Sequence, residues 1–162
     1  MCFLLHVVCY LNFYNRSVVK WYHKGLQNPY SPSESGRTCM NASIIIAILK
    51  TKHPGCTIIK NDEQNPTEII CEIEPSTDHP EYSTAIAVID RSLPHYHNRS
   101  TETYEVIDGE LVVTVDGKEY TLKKGETFVI KPKSIHSAKG NETVVKVISK
   151  PGWTFEDHII VK

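Results

Sequence analysis

From Thr57 onward the chain alternates short β-type segments with turn residues, and this alternation limits the fold more than any other feature. Most breaks between the segments carry Pro, Gly, Asn or Asp, as is typical of β-sandwiches and β-barrels. No helix of convincing length is predicted after residue 55, whereas 44–49 could be a short helix or a strand. The sequence therefore predicts an all-β fold, with strands at 57–60, 67–74, 83–90, 102–107, 110–115, 118–122, 126–131, 143–149 and 157–161.

One hairpin is predicted from local sequence alone. Two alternating segments, 111–115 and 118–122, flank the dipeptide Asp116-Gly117. Asp-Gly is a preferred two-residue hairpin turn because both central residues need a positive φ. We therefore expect these two segments to pair directly.

Four residues are spaced as the ligands of one metal ion: His95, His97, Glu102 and His136. Side chains at i and i+2 of a strand point to the same face, so the first two histidines can aim at one point. Three imidazoles and a carboxylate suit Zn, Fe, Mn, Ni or Cu, and rarely hold Ca or Mg. The spacing therefore predicts one divalent transition metal per chain.

The first three of these residues belong to a longer motif. His95-x-His97, four residues, Glu102, six residues and Gly109 resemble the first motif of the cupin superfamily. Gly125 and His136, eleven positions apart, are similar to the ends of the second cupin motif. Together with the hairpin between them, these stretches identify residues 57–150 as similar to a small single-domain cupin.

The chain departs from the cupin motifs at several positions. Ile89 stands where a Gly is expected before the first motif, and in the second motif Lys131 replaces a Pro, with Pro132 one place late. Gly140 stands where an Asn is expected. Lys133 replaces the inner Gly of the second motif, so it would be strained if its φ is positive.

The resemblance implies a double-stranded β-helix, or jelly-roll, barrel with the metal inside one mouth, held by the four positions above. It divides the chain into an N-terminal extension and linker, 1–50, and a cupin barrel, 51–162. Within the extension, residues 1–39 could be weakly ordered, packed on the outside of the barrel, or read from a start codon assigned too early. Alternatively, it could form a dimer interface through Phe3, Leu4, Val7, Val8 and Leu11.

Strand alternation predicts the surroundings of the ligands. If Glu102 points inward, so do Tyr104 and Val106, while Thr103 and Glu105 point outward. Tyr104 would then be the candidate catalytic residue, orienting a ligand or moving a proton, or alternatively would fill the barrel floor. Other side chains expected near the barrel interior or mouth are Phe128, Ile130, Ser134, Tyr96 and Arg99. Trp153 and Phe155 could cap the barrel or pack across a dimer. The histidines without partner spacing are interpreted as surface or core residues: His6, His23, His53, His79 and His158.

Composition excludes several classes of function. A net charge of −1 at pH 7 argues against nucleic-acid or anionic-membrane partners. The apolar run 2–14 is too short to span a bilayer and lacks the preceding positive charge of a secretory signal. Five cysteines without CxxC spacing favour a reducing, cytoplasmic location. A small-molecule ligand and a homodimer are the expected partners.

These observations favour an enzyme that uses the metal as a Lewis acid or O₂ centre on a small oxygenated metabolite, such as a sugar or keto-acid. Isomerase-like, epimerase-like and dioxygenase-like reactions all remain open, since no second carboxylate is clearly placed as a general base. The alternative is a non-catalytic cupin module that binds a small molecule or a metal. The family hosts many chemistries, so the resemblance is a weak guide to substrate.

Overall fold

The computed structural model describes residues 40–161, so the predicted interface residues within 2–14 lie outside it. One α-helix and ten strands make up the described part: α1 (Ala42–Lys52), β1 (Thr57–Lys60), β2 (Glu68–Glu74), β3 (Ser83–Arg91), β4 (His95–His97), β5 (Thr101–Asp108), β6 (Glu110–Val115), β7 (Lys118–Lys123), β8 (Thr127–Ile130), β9 (His136–Lys150) and β10 (His158–Ile160). A 3₁₀ turn covers Phe155–Asp157. The all-β prediction is confirmed. Within residues 40–161 no helix has the length and apolar character needed to cross a membrane.

The long strand β9 connects the two walls of the curled sheet. Its first residues pair with β4 and β6, and its later residues pair with β3 and β5. Between these halves, a Cβ on Gly140 would lie 2.8 Å from the carbonyl oxygen of Ile89, so only glycine fits this close approach. β9 begins at His136, so the predicted strand 143–149 is too short.

The predicted hairpin is present as β6 and β7, with Val115 opposite Lys118. Asp116 and Gly117 have φ values of 48° and 79°, as a type I′ turn requires. One side of this hairpin contributes Leu111, Val113 and Leu122 to the barrel core. The turn chemistry and the burial pattern thus agree on one register.

Helix α1 resolves the open alternative for 44–49. Asn41 caps it, because its side chain accepts a hydrogen bond from the backbone N–H of Ile44 at 3.3 Å. Ile45 and Leu49 pack on the outer face of the sheet in a second apolar cluster with Ile69 and Cys71. The predicted boundary at residues 50 and 51 falls inside this helix and remains a prediction.

Candidate metal centre

The four predicted ligands converge at one end of the barrel. His95 and His97 lie on β4, Glu102 on β5, and His136 opposite His95 at the start of β9. One nitrogen or oxygen atom from each lies within 4.8 Å of the others, and all four side chains are buried. We call these residues the four-residue cluster.

Backbone carbonyls orient two of the imidazoles. Nδ1 of His95 lies 2.8 Å from the carbonyl oxygen of Leu93, and Nδ1 of His136 lies 3.0 Å from that of Ser134. Because a carbonyl only accepts hydrogen bonds, each Nδ1 must carry the proton. In a neutral ring Nε2 then presents its lone pair, which is the arrangement that a metal-ligating histidine needs.

Glu102 faces two of the imidazoles. Its Oε2 lies 3.2 Å from Nε2 of His136, its Oε1 lies 3.3 Å from Nε2 of His97, and the Ser149 hydroxyl donates to Oε1 at 3.2 Å. With Nδ1 of His136 protonated, Nε2 and the carboxylate oxygen present lone pairs to each other unless a second proton or a cation lies between them. Neither ring nitrogen of His97 has a hydrogen-bond partner among the described residues. The donor set therefore fits a divalent transition metal.

The protonation of the cluster follows from burial and charge. Burial, with the nearby His136 and His158, lowers the pKa of His95 to about 3. Burial also lowers the pKa of His97, but the adjacent negative charges of Glu102 and Asp157 outweigh it, so the net shift is upward. Burial raises the pKa of Glu102, but the adjacent His136 and His97 imidazoles hold it well below 4.5. The carboxylate is thus ionised.

Asp157 supports the cluster from behind. It is buried and accepts hydrogen bonds from the backbone N–H groups of Arg99 and Ser100, at 3.1 and 3.0 Å. Its Oδ2 lies 3.9 Å from Nδ1 of His97. Burial raises the pKa of Asp157, but the hydrogen bonds from Ser100 and Arg99 outweigh it and lower the pKa. Sequence reasoning missed this residue, since no local pattern links it to His97.

A cavity opens beside the cluster, and the centre of a water molecule can occupy a volume of about 60 Å³ within it. This is room for roughly four to six waters. His95, Glu102 and Tyr104 contribute to the lining on the cluster side. The rest of the lining is Ile59, Glu68, Ile70, Glu72, Ser83, Thr84, Ala85, Ala87, Val147, Ser149, Trp153 and His158.

His158 and Glu68 are among the polar residues of this lining that were not predicted. His158 stacks on His95 with ring centroids 4.2 Å apart, and burial lowers its pKa to about 4. Glu68 provides the second carboxyl group that the sequence did not reveal; burial, then the charge of Glu102, raises its pKa to about 8. Strand alternation predicts only that Glu68 shares a face with Ile70 and Glu72, not that this face looks toward the cluster.

Tyr104 points inward, as alternation predicts. It is 4% exposed, and its ring centroid lies 6.3 Å from that of His136. Burial, the negative charges of Glu102 and Glu68, and a hydrogen bond to Glu102 raise its pKa well above 10. Tyr104 also packs in the barrel core, so the position suits both roles considered for it, and its catalytic role remains a prediction.

The other predicted neighbours are divided between the site and its surroundings. Phe128 and Ile130 pack with the barrel core, and Trp153 lines the cavity. Phe155 is 78% exposed. Among the described residues, the cavity lining does not include three of the predicted neighbours, Ser134, Tyr96 and Arg99.

Lys133 has a φ of 68°, so the condition under which strain was predicted at this position is met. Its backbone N–H donates to the carbonyl oxygen of His97 at 2.6 Å. The strained turn thus connects the loop before His136 to the strand that carries His95 and His97.

Comparison with known proteins matches residues 84–149 to a family described as a cupin domain. An uncharacterized protein of Methanocaldococcus jannaschii is 31% identical over 80 residues, which cover 48% of this chain and 64% of that protein. Quercetin 2,3-dioxygenase of Bacillus subtilis is 29% identical over 59 residues, which cover 36% of this chain and 18% of the enzyme. The chain thus spans less than two thirds of either relative.

A solved structure of a protein from Planctomyces limnophilus is similar in fold. Its TM-score is 0.57 at 20% identity, over 67% of this chain and 92% of that one. At this identity the similarity concerns the fold alone.

Proposed function

We propose that this chain, whose residues 84–149 match a family described as a cupin domain, is a metal-dependent enzyme acting on a small oxygenated metabolite. The observation that carries the proposal is the position of Glu102 between two imidazole nitrogens, with a lone pair of its Oε2 facing the lone pair on Nε2 of His136. A divalent cation at their centre would satisfy these atoms at once. His95, His97, Glu102 and His136 would hold it, and the donor set suits Fe, Mn, Zn or Ni.

When bound, such a metal would polarise an oxygen atom of the metabolite or, if redox-active, take up O₂. The protein side of the chemistry would come from Tyr104, a buried residue of the cavity lining whose hydroxyl could move a proton. Apolar side chains form much of the cavity lining, which would limit the access of water. The partial identity with a dioxygenase supports a catalytic role over a purely structural one.

Elemental analysis of the purified protein tests the metal. We expect about one transition-metal ion per chain, and His97→Ala should abolish this stoichiometry because it removes one of four ligands. His53→Ala, at the end of α1 and outside the cluster, is the matched control. Full metal content in His97→Ala would refute the assignment.

Tyr104→Phe tests the proton role once a substrate is known. It should keep the metal content and lower kcat, because the ring stays in the core while the hydroxyl is lost. An unchanged kcat would indicate that Tyr104 serves only to pack the barrel core. If the metal-loaded protein binds small oxygenated molecules but converts none, the non-catalytic module replaces the enzyme. A homodimer and a cytoplasmic location remain predictions from the sequence.

A further inference from the structure

The cavity beside the four-residue cluster has an acidic wall. Glu68 and Glu72 are alternate residues of β2, and with Ile70 between them they present one face to the cavity. Neither carboxyl group has a hydrogen-bond or ion-pair partner within residues 40–161. These groups belong to β2, which pairs with β1 and β3 and carries no member of the cluster.

A donor lies on another part of the same lining. The indole N–H of Trp153 donates to Nδ1 of His158 at 3.4 Å. Because the indole nitrogen is only a donor, Nδ1 of His158 is the acceptor, so the ring proton sits on Nε2. Nε2 has no partner in the described part of the chain, and His158 lines the cavity. A ligand there would meet both an N–H donor and free carboxyl groups.

Positive charge is missing from this cavity. Among the described residues, neither Lys nor Arg contributes to its lining. A divalent metal would bring two positive charges, of which Glu102 offsets one and the β2 carboxyls can offset the rest. Burial and the charge of Glu102 raise the pKa of Glu68, which indicates that the cavity disfavours a further negative charge. An anionic ligand would therefore be desolvated without compensation.

We propose that the site selects a small uncharged hydroxyl-bearing ligand over its carboxylate analogue, and that Glu68 and Glu72 set this preference. A hydroxyl can donate to a carboxylate and accept from a carboxylic acid or from His158, whereas a carboxylate can only accept. The cavity size fits a short polyol or one end of a larger one. This inference rests on the proposed metal function and narrows its substrate class away from keto-acids.

Titration of the Co²⁺-loaded protein with propane-1,2-diol and with lactate tests the preference, since the two probes differ by one carboxylate. Calorimetry and the visible spectrum of Co²⁺ report binding at about pH 8, where Glu68 is substantially ionised. We expect the diol to bind at least tenfold more tightly than lactate. The double variant Glu68→Gln with Glu72→Gln should reduce this ratio about tenfold. The two carboxylates would repel the lactate carboxylate at short range in a partly buried site, and the substitutions remove that repulsion. Glu119→Gln, exposed on β7, should leave the ratio unchanged.

The outcomes separate the two proposals. The inference is overturned if lactate binds as tightly as the diol, or if the double variant does not change the ratio of the two affinities. In either case stoichiometric binding of Co²⁺ would still support the proposed metal centre. A protein that takes up no Co²⁺ overturns both. If the double variant loses its Co²⁺ or its far-UV circular dichroism, each single variant is titrated instead, and the wild-type ratio is itself decisive.

Discussion

As the pH falls, burial of His95 should lower the stability of the metal-free protein. In the native state burial lowers its pKa to about 3, against 6.5 for the ordinary group. Between these two pH values the unfolded chain binds a proton that the folded chain does not, so stability falls as the pH falls. At about 1.4 kcal/mol per pH unit, the full loss is about 5 kcal/mol, of which about 3 kcal/mol is reached by about pH 4.5.

The other groups of the site differ from His95 in the pH range or in the direction of their effect. The pKa of Glu102 is lowered below 4.5, so its stabilising contribution is complete above that value and is lost only at lower pH. The pKa of His97 is raised above 6.5, so its contribution is complete below 6.5 and is lost as the pH rises. His158, with a pKa of about 4, acts in the same direction as His95. Over the interval from about pH 6.5 to 4.5, Glu68 opposes His95 and His158, because with a pKa of about 8 it holds a proton in the folded chain that the unfolded chain has released. The difference between the wild type and a His95 variant therefore isolates the contribution of His95.

Urea denaturation of the chelator-treated protein, followed by circular dichroism at several pH values, measures this loss. His95→Gln removes the titrating group, so the free energy of unfolding should fall less steeply, by about 3 kcal/mol over the interval. His53→Gln, outside the cluster, should keep the wild-type slope. A His95→Gln protein with an unchanged pH dependence would refute the link between burial of this imidazole and acid sensitivity.

Three further substitutions test the support of the site and the core. Asp157→Asn should weaken metal binding about 10- to 100-fold in chelator competition, because it removes the negative charge next to His97. Asp108→Asn, at an exposed position, is its control. Equal metal affinities of the two variants would contradict a role of Asp157 in supporting His97. Lys133→Gly should raise the free energy of unfolding by about 0.5 kcal/mol, since relief of the positive φ exceeds the entropy cost of glycine; a loss of stability would argue against strain. Leu111→Ala, at a fully buried position, should cost about 2–5 kcal/mol in urea denaturation, whereas Val129→Ala, 56% exposed, should change stability by less than about 0.5 kcal/mol.

Local patterns predicted those parts of the molecule that local geometry determines. The β6–β7 hairpin follows from Asp116-Gly117, and the shared face of His95 and His97 follows from their i, i+2 spacing on one strand. The positive φ of Lys133 could also be anticipated, because glycine is usual at that point of the motif. Each of these features depends on few neighbouring residues.

The missed residues depend on pairings between distant strands. His158 reaches the cluster because β10 pairs with β4, which sets His158 opposite His97. Asp157 arrives with it, in the 3₁₀ turn just before β10. Glu68 faces the cavity only because β2 is fixed in register against β3. A one-residue slip would turn Glu68 outward, and the sequence of β2 alone does not specify the register.

The acidic wall of the cavity and the four-residue cluster lie on different strands, which affects how the site can change. The four-residue cluster lies on β4, β5 and β9, whereas Glu68 and Glu72 lie on β2. Substitution on β2 can therefore alter the charge that a ligand meets while the backbone contacts that orient the histidines, from Leu93 and Ser134, stay in place. Barrels with one cluster can thus accept different ligands, which is a physical reason why a shared metal-binding motif predicts the centre better than the substrate.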